Sequence, residues 1–221
     1  MKIFITGCAK SGTTLLYRLF NYFKDTEVFR HSEEDWIFSR NELKLVKLIE
    51  IESAKKILVG KRSSSSILSS KLLPVELKAQ SKLILDNDIK IINIVRDGRD
   101  VILSDNHYVS VNRWMSCILQ RETFGNIVVI EIKYEDLIYT PDVVQKNISE
   151  KLGLDIKYKF SDYPRYLLDE YFIDINQETF YKPRPIGPGS IHKDVNAYKD
   201  ICTPKQVPLF EECLRKLEYI Q

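Results

Sequence analysis

The sequence predicts an α/β fold, a three-layer arrangement in which helices flank a mostly parallel central sheet. Short β-branched apolar runs alternate along the chain with stretches whose apolar residues recur at helical spacing, the pattern of strand–helix–strand units. One such run, "IKIINIV" at 89–95, is apolar almost without interruption, as a strand covered on both faces requires. No internal repeat or linker interrupts the chain. Its 221 residues, 44% of them hydrophobic, suffice for one well-buried domain and are short for two, so residues 1–221 are expected to form a single domain.

The first strand is expected over residues 2–6. A polar, glycine-containing loop follows, and Leu15, Leu16, Leu19, Phe20 and Phe23 then mark a helix over 13–23. Residues 41–56 repeat Leu43, Val46, Ile49 and Ala54 among charges, as an amphipathic surface helix does, and a short strand is expected at 57–59. The serine-rich stretch "KRSSSSILSS" at 61–70 reads as a loop, and 71–85 resumes helical spacing with Pro74 in a first turn. After the strand at 89–95, helices are expected at 99–106 and 111–124, and "NIVVIEI" at 126–132 reads as a second buried-type strand. Thr140-Pro141 and Thr203-Pro204 read as N-caps followed by proline in the first turn, with Gln206 as capping-box partner of the second, which predicts helices over 141–152 and 204–219. The stretch between them, "YKPRPIGPGSIHKD" at 181–194, is punctuated by proline and glycine and reads as a long loop.

Thirty-three basic residues stand against 31 acidic ones, a balance that argues against a polyanionic partner such as nucleic acid. Cys8, Cys117, Cys202 and Cys213 share no paired spacing with one another or with the three histidines, so they read as buried free thiols and no metal site is expected. No apolar run approaches the roughly 20 residues of a membrane span, and the first strand begins at Lys2, which leaves no room for a signal peptide; a cytoplasmic, reducing setting is the expectation.

The loop after the first strand, "ITGCAKSGTTLL", carries the chemistry. Gly7 and Gly12 keep the spacing of a phosphate-binding loop, which makes the fold P-loop-like, but Thr13 stands where a nucleoside-triphosphatase has its lysine. Backbone N–H groups of such a loop, with the positive end of the following helix, hold an anion without any side-chain charge, and Ser11, Thr13 and Thr14 add hydroxyls. Lys10 sits on the crest of the loop, so it reaches the first one or two groups bound there; the loop suits a ligand shorter than a triphosphate. At the end of the 89–95 strand stands Arg96, whose guanidinium can meet phosphate in a bidentate fork, and Ser104 is expected on the helix that begins near Gly98, converging on the same anion. The competing reading of Arg96-Asp97-Gly98-Arg99-Asp100 is a surface ion-pair cluster of little consequence for stability.

In these segments the chain resembles the sulfotransferases that use 3′-phosphoadenosine 5′-phosphosulfate (PAPS). "KSGTTLL" at 10–16 is similar to their 5′-phosphosulfate loop, "IINIVRDGRDVILS" at 91–104 to their 3′-phosphate segment, and "YEDLIYTPDVVQKNISEKLGL" at 134–154 to the segment after the next strand. "GPGSIHKD" resembles their last cofactor loop more loosely. The resemblance implies PAPS as sulfuryl donor, adenosine 3′,5′-bisphosphate (PAP) as product and no metal. It further implies Lys10 on the bridging oxygen between phosphate and sulfuryl group, Ser11, Gly12, Thr13 and Thr14 in the 5′ cradle, and Arg96 and Ser104 on the 3′-phosphate. Tyr134 matches a position near the adenine, packing being the other reading of that residue. Ser190, His192 and Lys193 match the loop that closes over the 3′-phosphate, although His192 departs from the glycine or arginine usual there.

The chain also departs from the members that act on phenols and steroids. Leu15 stands where they stack an aromatic ring on adenine, and "VGKRSSSS" lacks their catalytic histidine. The resemblance is therefore nearer to members that sulfate a hydroxyl or amine on carbohydrate, lipid or protein. Residues 29–38 and the aromatic-rich 163–181 are candidate walls for that acceptor. In "VFRHSEEDW" the candidates for the general base are Glu33, which matches a glutamate of the protein- and sugar-directed members, then His31, then Glu34. Two other readings stay open at this point: a P-loop nucleotide kinase, and a catalytically silent protein that binds PAPS or PAP.

Overall fold

The computed structural model describes residues 1–28, 57–63, 86, 88–104, 109–121, 128–163 and 196–221. Five parallel strands form one sheet: β1 (Lys2–Gly7), β2 (Thr26–Val28), β3 (Ile57–Ser63), β4 (Ile89–Val95) and β5 (Val128–Lys133), in the order β2-β3-β1-β4-β5. β1 is central because its side chains are apolar on both faces, with Ile3, Phe4 and Ile5 all buried. β4 beside it is buried along nearly its whole length, as its uninterrupted apolar run requires.

The helices cover both faces. On one, α1 (Thr13–Leu19), α4 (Tyr134–Tyr139) and α5 (Pro141–Leu152) pack Leu16, Leu137 and Ile148 against Ile3, Ile5, Ile92 and Ile94. On the other, α2 (Gly98–Ile102), α3 (Val111–Arg121), α6 (Tyr198–Ile201) and α7 (Val207–Lys216) build a core around Trp114 and Phe210, whose ring centroids lie 4.8 Å apart. Among the described residues, no helix is long and apolar enough to cross a membrane.

The structure corrects several expectations. The first helix tightens into a 3-10 turn at Phe20–Tyr22, where the Thr26 hydroxyl donates to the carbonyls of Phe20 and Phe23. Residues 61–63 belong to β3, not to a loop: Lys61, Arg62 and Ser63 continue the ladder opposite Ile5, Thr6 and Gly7, because a fully paired neighbour holds even a polar segment extended. Among the described residues β5 is an edge strand, with alternate residues exposed, Val129 and Glu131 among them, so its apolar run did not mean burial on both faces. α2 stops at Ile102, short of the expected 106. Thr140 makes no side-chain cap; its hydroxyl donates back to the Asp136 carbonyl. At the other proposed cap, the Gln206 side chain does accept from the Thr203 N–H at 2.9 Å, while regular helix starts only at Val207. The helices expected at 41–56 and 71–85 and the loop at 181–194 lie outside the described residues.

At the start of α2, the chain passes so close to the Trp114 ring that a Cβ on Gly98 would lie 2.6 Å from it. Trp114 is fully buried and its indole N–H donates to the Arg96 carbonyl at 3.3 Å, so the ring cannot withdraw without loosening the turn that precedes α2. Gly98→Ala is expected to cost about 1–3 kcal/mol of stability, the range for overpacking a core. Urea denaturation measures it, and an unchanged midpoint would mean that the indole has room to move.

Candidate functional site

Parallel strands end on the same side, so the loops that follow β1 and β4 emerge side by side, where Gly7 is paired with Ile94. The first runs from Cys8 to Gly12. It closes by a hydrogen bond from the Ser11 N–H to the Cys8 carbonyl at 3.0 Å, which takes one of the loop's N–H groups out of the supply available to an anion. Lys10, exposed at the crest, has φ 68°, a left-handed conformation that a lysine seldom adopts unaided. Gly12 follows at φ 92°, and a Cβ there would run into the ring of Tyr134, so this position needs glycine for both backbone and space.

The second loop supplies the tie that holds the first. Arg96 Nη1 donates to the Lys10 carbonyl at 3.1 Å, Nη2 donates to Asp100 Oδ2 at 3.1 Å, and the guanidinium carbon lies 4.3 Å from the centroid of the Tyr134 ring. Asp97 caps α2 by accepting from the Arg99 N–H and also pairs with the Arg99 side chain at 2.6 Å. The side chains of Arg96 and Asp100 are only 13% and 4% exposed, so this is a largely buried network and not the surface cluster of the competing reading; removing one member would strand the charge of the other.

Further residues anchor the second loop. Glu135 accepts from the Asp97 N–H at 3.1 Å and from the Tyr219 hydroxyl at 2.7 Å, and Arg99 reaches the Tyr219 carbonyl at 3.3 Å. Beside the first loop, Cys8 and Cys117 share a small pocket with Gly7, Ser11 and Asn93. The hydrogen bond with Cys117, together with burial, pushes the Cys8 thiol well above its ordinary range, so it stays protonated and is no nucleophile at neutral pH. All four cysteines are buried thiols outside any disulfide, as their spacing indicated.

Of the residues expected from sequence, Lys10, Gly12, Arg96 and Tyr134 come together in one cluster. Tyr134 opens helix α4, and its ring is a platform between Gly12 and Arg96. Ser11 and Thr13 are buried and Thr14 half-buried. Ser104 lies beyond the end of α2, where its hydroxyl donates to the Val101 carbonyl at 2.6 Å; the expected placement on the helix is not found. His31, Glu33, Glu34, Ser190, His192 and Lys193 lie outside the described residues. Asp100, Glu135 and Tyr219 went unnoticed as site residues. Asp100, four residues after Arg96, has helical ion-pair spacing that could have pointed to it, and Tyr219 carries no signal in its neighbours.

Two buried polar atoms have no hydrogen-bond partner among the described residues, the Ser11 hydroxyl and Arg96 Nε. Both can donate, they stand on the two adjoining loops, and unmet donors in that position fit the oxygens of a bound anion. One of the sequence comparisons agrees with this chemistry. A family model described as a sulfotransferase domain matches residues 1–126. No curated protein matches the chain by sequence. Among solved structures, the crystal structure of retinol dehydratase in a complex with retinol and PAP is similar at 13% identity and a TM-score of 0.47, covering 97% of this chain and 80% of that one.

Burial, and then the Glu135 carboxylate, push the Tyr219 phenol well above its ordinary value of 10.0. The folded protein holds this proton more tightly than the unfolded chain does, so the stabilisation is complete below about pH 10 and is lost as pH rises beyond it. Tyr219→Phe should cost about 1.5–3 kcal/mol at pH 8, the range for a hydrogen bond to a charged group. The gap between variant and wild type should narrow when denaturation is repeated above pH 10; a constant gap would contradict the assignment.

Proposed function

The chain belongs to the sulfotransferase family, and on that premise we propose that it transfers a sulfuryl group from PAPS to a hydroxyl or amine acceptor on a carbohydrate, lipid or protein. PAPS supplies the activated sulfuryl group. The observation that carries the reading is the pair of unmet donors, Ser11 Oγ and Arg96 Nε, on adjoining loops whose connection runs through the Lys10 carbonyl.

In this reading the Ser11 hydroxyl, the N–H groups around Gly12 to Thr14 and the first turn of α1 hold the 5′ end of the donor. Arg96 presents its free Nε–H to the 3′-phosphate, with Ser104 and the loop of Ser190, His192 and Lys193 completing that side. Ser104 turns its hydroxyl from the Val101 carbonyl when it donates to phosphate. Lys10, exposed on the crest, places its ammonium where negative charge grows as the donor's bond breaks, which favours the transition state over the bound substrate. The Tyr134 ring lies against Arg96 and Gly12, so its contribution is to support both loops. Glu33 is the proposed base, with His31 and Glu34 behind it. Leu15, a residue of α1 packed against the core, and the want of a histidine in "VGKRSSSS" support the carbohydrate, lipid or protein class of acceptor. Four buried cysteine thiols outside any disulfide support a reducing, cytoplasmic setting.

Calorimetric titration tests the reading. PAP should bind far more tightly than adenosine 5′-monophosphate, and Arg96→Ala should remove about 1.5–3 kcal/mol of that preference, as loss of a charge-assisted hydrogen bond does. Equal affinities for the two nucleotides, or tighter binding of ATP with magnesium, would sink the donor assignment and restore the kinase reading. Lys10→Ala should lower turnover of PAPS by a larger factor than it lowers PAP affinity. An effect confined to the Michaelis constant would take the lysine out of the transition state.

A further inference from the structure

Asp100 is out of place in an anion site. It is 5% exposed, it sits against the arginine assigned to a phosphate, and a buried carboxylate there repels the ligand that the arginine would attract. Neutralising a cation that is about to be used for binding serves no purpose in affinity. A guanidinium is a rigid planar fork, however, and its direction is set once two of its edges are held. Asp100 holds one edge, through Nη2, and the Lys10 carbonyl occupies another, through Nη1, while Nε is left without a partner. The carbonyl so held belongs to a lysine at φ 68°, and among the described residues the hydrogen bond that closes the loop runs from Ser11 to Cys8 and bypasses it.

We infer that Asp100 is a positioning residue for Lys10: it fixes the plane of Arg96, and Arg96 pins the carbonyl at the crest of the first loop so that the lysine is carried in its left-handed conformation before any donor arrives. The role given to Lys10 rests on the function proposed above, but the mechanical claim does not. The same fixation aims the unmet Nε–H, so one carboxylate orders both the lysine and the phosphate donor group. The negative charge at Asp100 is then the means by which the loop is organised in advance, a cost in attraction accepted for a lower cost of ordering on binding.

The test uses the full chain without ligand and reads amide hydrogen exchange at Ser11, in the loop, against Ile92, in β4. Asp100→Asn keeps the shape and one acceptor oxygen but loses the ion pair; exchange at Ser11 should quicken about ten-fold while Ile92 is unchanged, the mark of local opening. Asp100→Glu should return Ser11 to within about three-fold of wild type, since the carboxylate is restored. A role in overall stability alone would quicken both amides together, and that result overturns the inference, as does an unchanged rate at Ser11. Should Asp100→Asn fail to fold, Arg96→Lys supplies the same comparison, because it keeps the cation and loses the fork.

Calorimetry with PAP provides the second arm. Asp100→Asn should bind PAP no more tightly than wild type, lost orientation offsetting lost repulsion. A ten-fold gain in affinity would show that Asp100 acts only as a counter-charge and would overturn the inference. If the wild-type protein fails to bind PAP, the donor assignment falls while the exchange comparison still decides whether Asp100 orders the loop.

Discussion

One guanidinium joins the parts of this site. Arg96 reaches the backbone of the first loop, a carboxylate of α2 and the face of a ring on α4, so three segments far apart in sequence share one planar group. The sheet brings it there: β1 and β4 are neighbours and parallel, so whatever follows Gly7 must lie beside whatever follows Val95. The loop's unusual backbone is a consequence. A lysine at positive φ needs something to hold its peptide, and the Arg96 Nη1 bond at 3.1 Å supplies that.

The acids around the site belong to the same scheme. Asp97, Asp100 and Glu135 would be liabilities if they faced an anion unpaired, but Asp97 and Asp100 are each bonded to arginine, and Glu135 accepts from a backbone N–H and a tyrosine hydroxyl. Their charge is consumed locally in fixing donors. Among the described residues, two buried side-chain groups on these loops stay unsatisfied, the Ser11 hydroxyl and Arg96 Nε, and both can donate.

The parts of this arrangement legible in the sequence were those determined by nearby residues. A glycine spacing, a run of hydroxyls and an arginine at a strand's end each leave a local signature, so Lys10, Ser11, Gly12 and Arg96 could be named in advance, and so could β1 and β4. Where identity depends on a distant partner, sequence reasoning failed. Lys61 to Ser63 look like a loop and become strand because β1 is waiting to pair with them. The run ending in β5 looks buried and lies, among the described strands, at the sheet's edge, a fact of strand order that no window of residues contains. Tyr134 was read against adenine or packing without a way to choose, and its contact with Gly12 and Arg96 follows from α4 beginning directly at the end of β5. Ser104 was placed by counting residues along a helix that ends too soon.

The separations within the site bear on the order in which the molecule can assemble. Arg96 meets a residue 86 positions before it, Arg99 one 120 positions after it, and Tyr219 turns back 84 positions to Glu135. Contacts so remote in sequence are slow to form, because each must close a long loop before it gains anything. During synthesis β1 emerges first and has no partner until β3 and β4 follow, and the clamp on the Arg96 turn waits for residue 219. The Arg96 network therefore forms in stages: β1 and β4 can pair before the contacts from Tyr219 reach it, so a partly made chain can carry this part of its sheet without the full clamp.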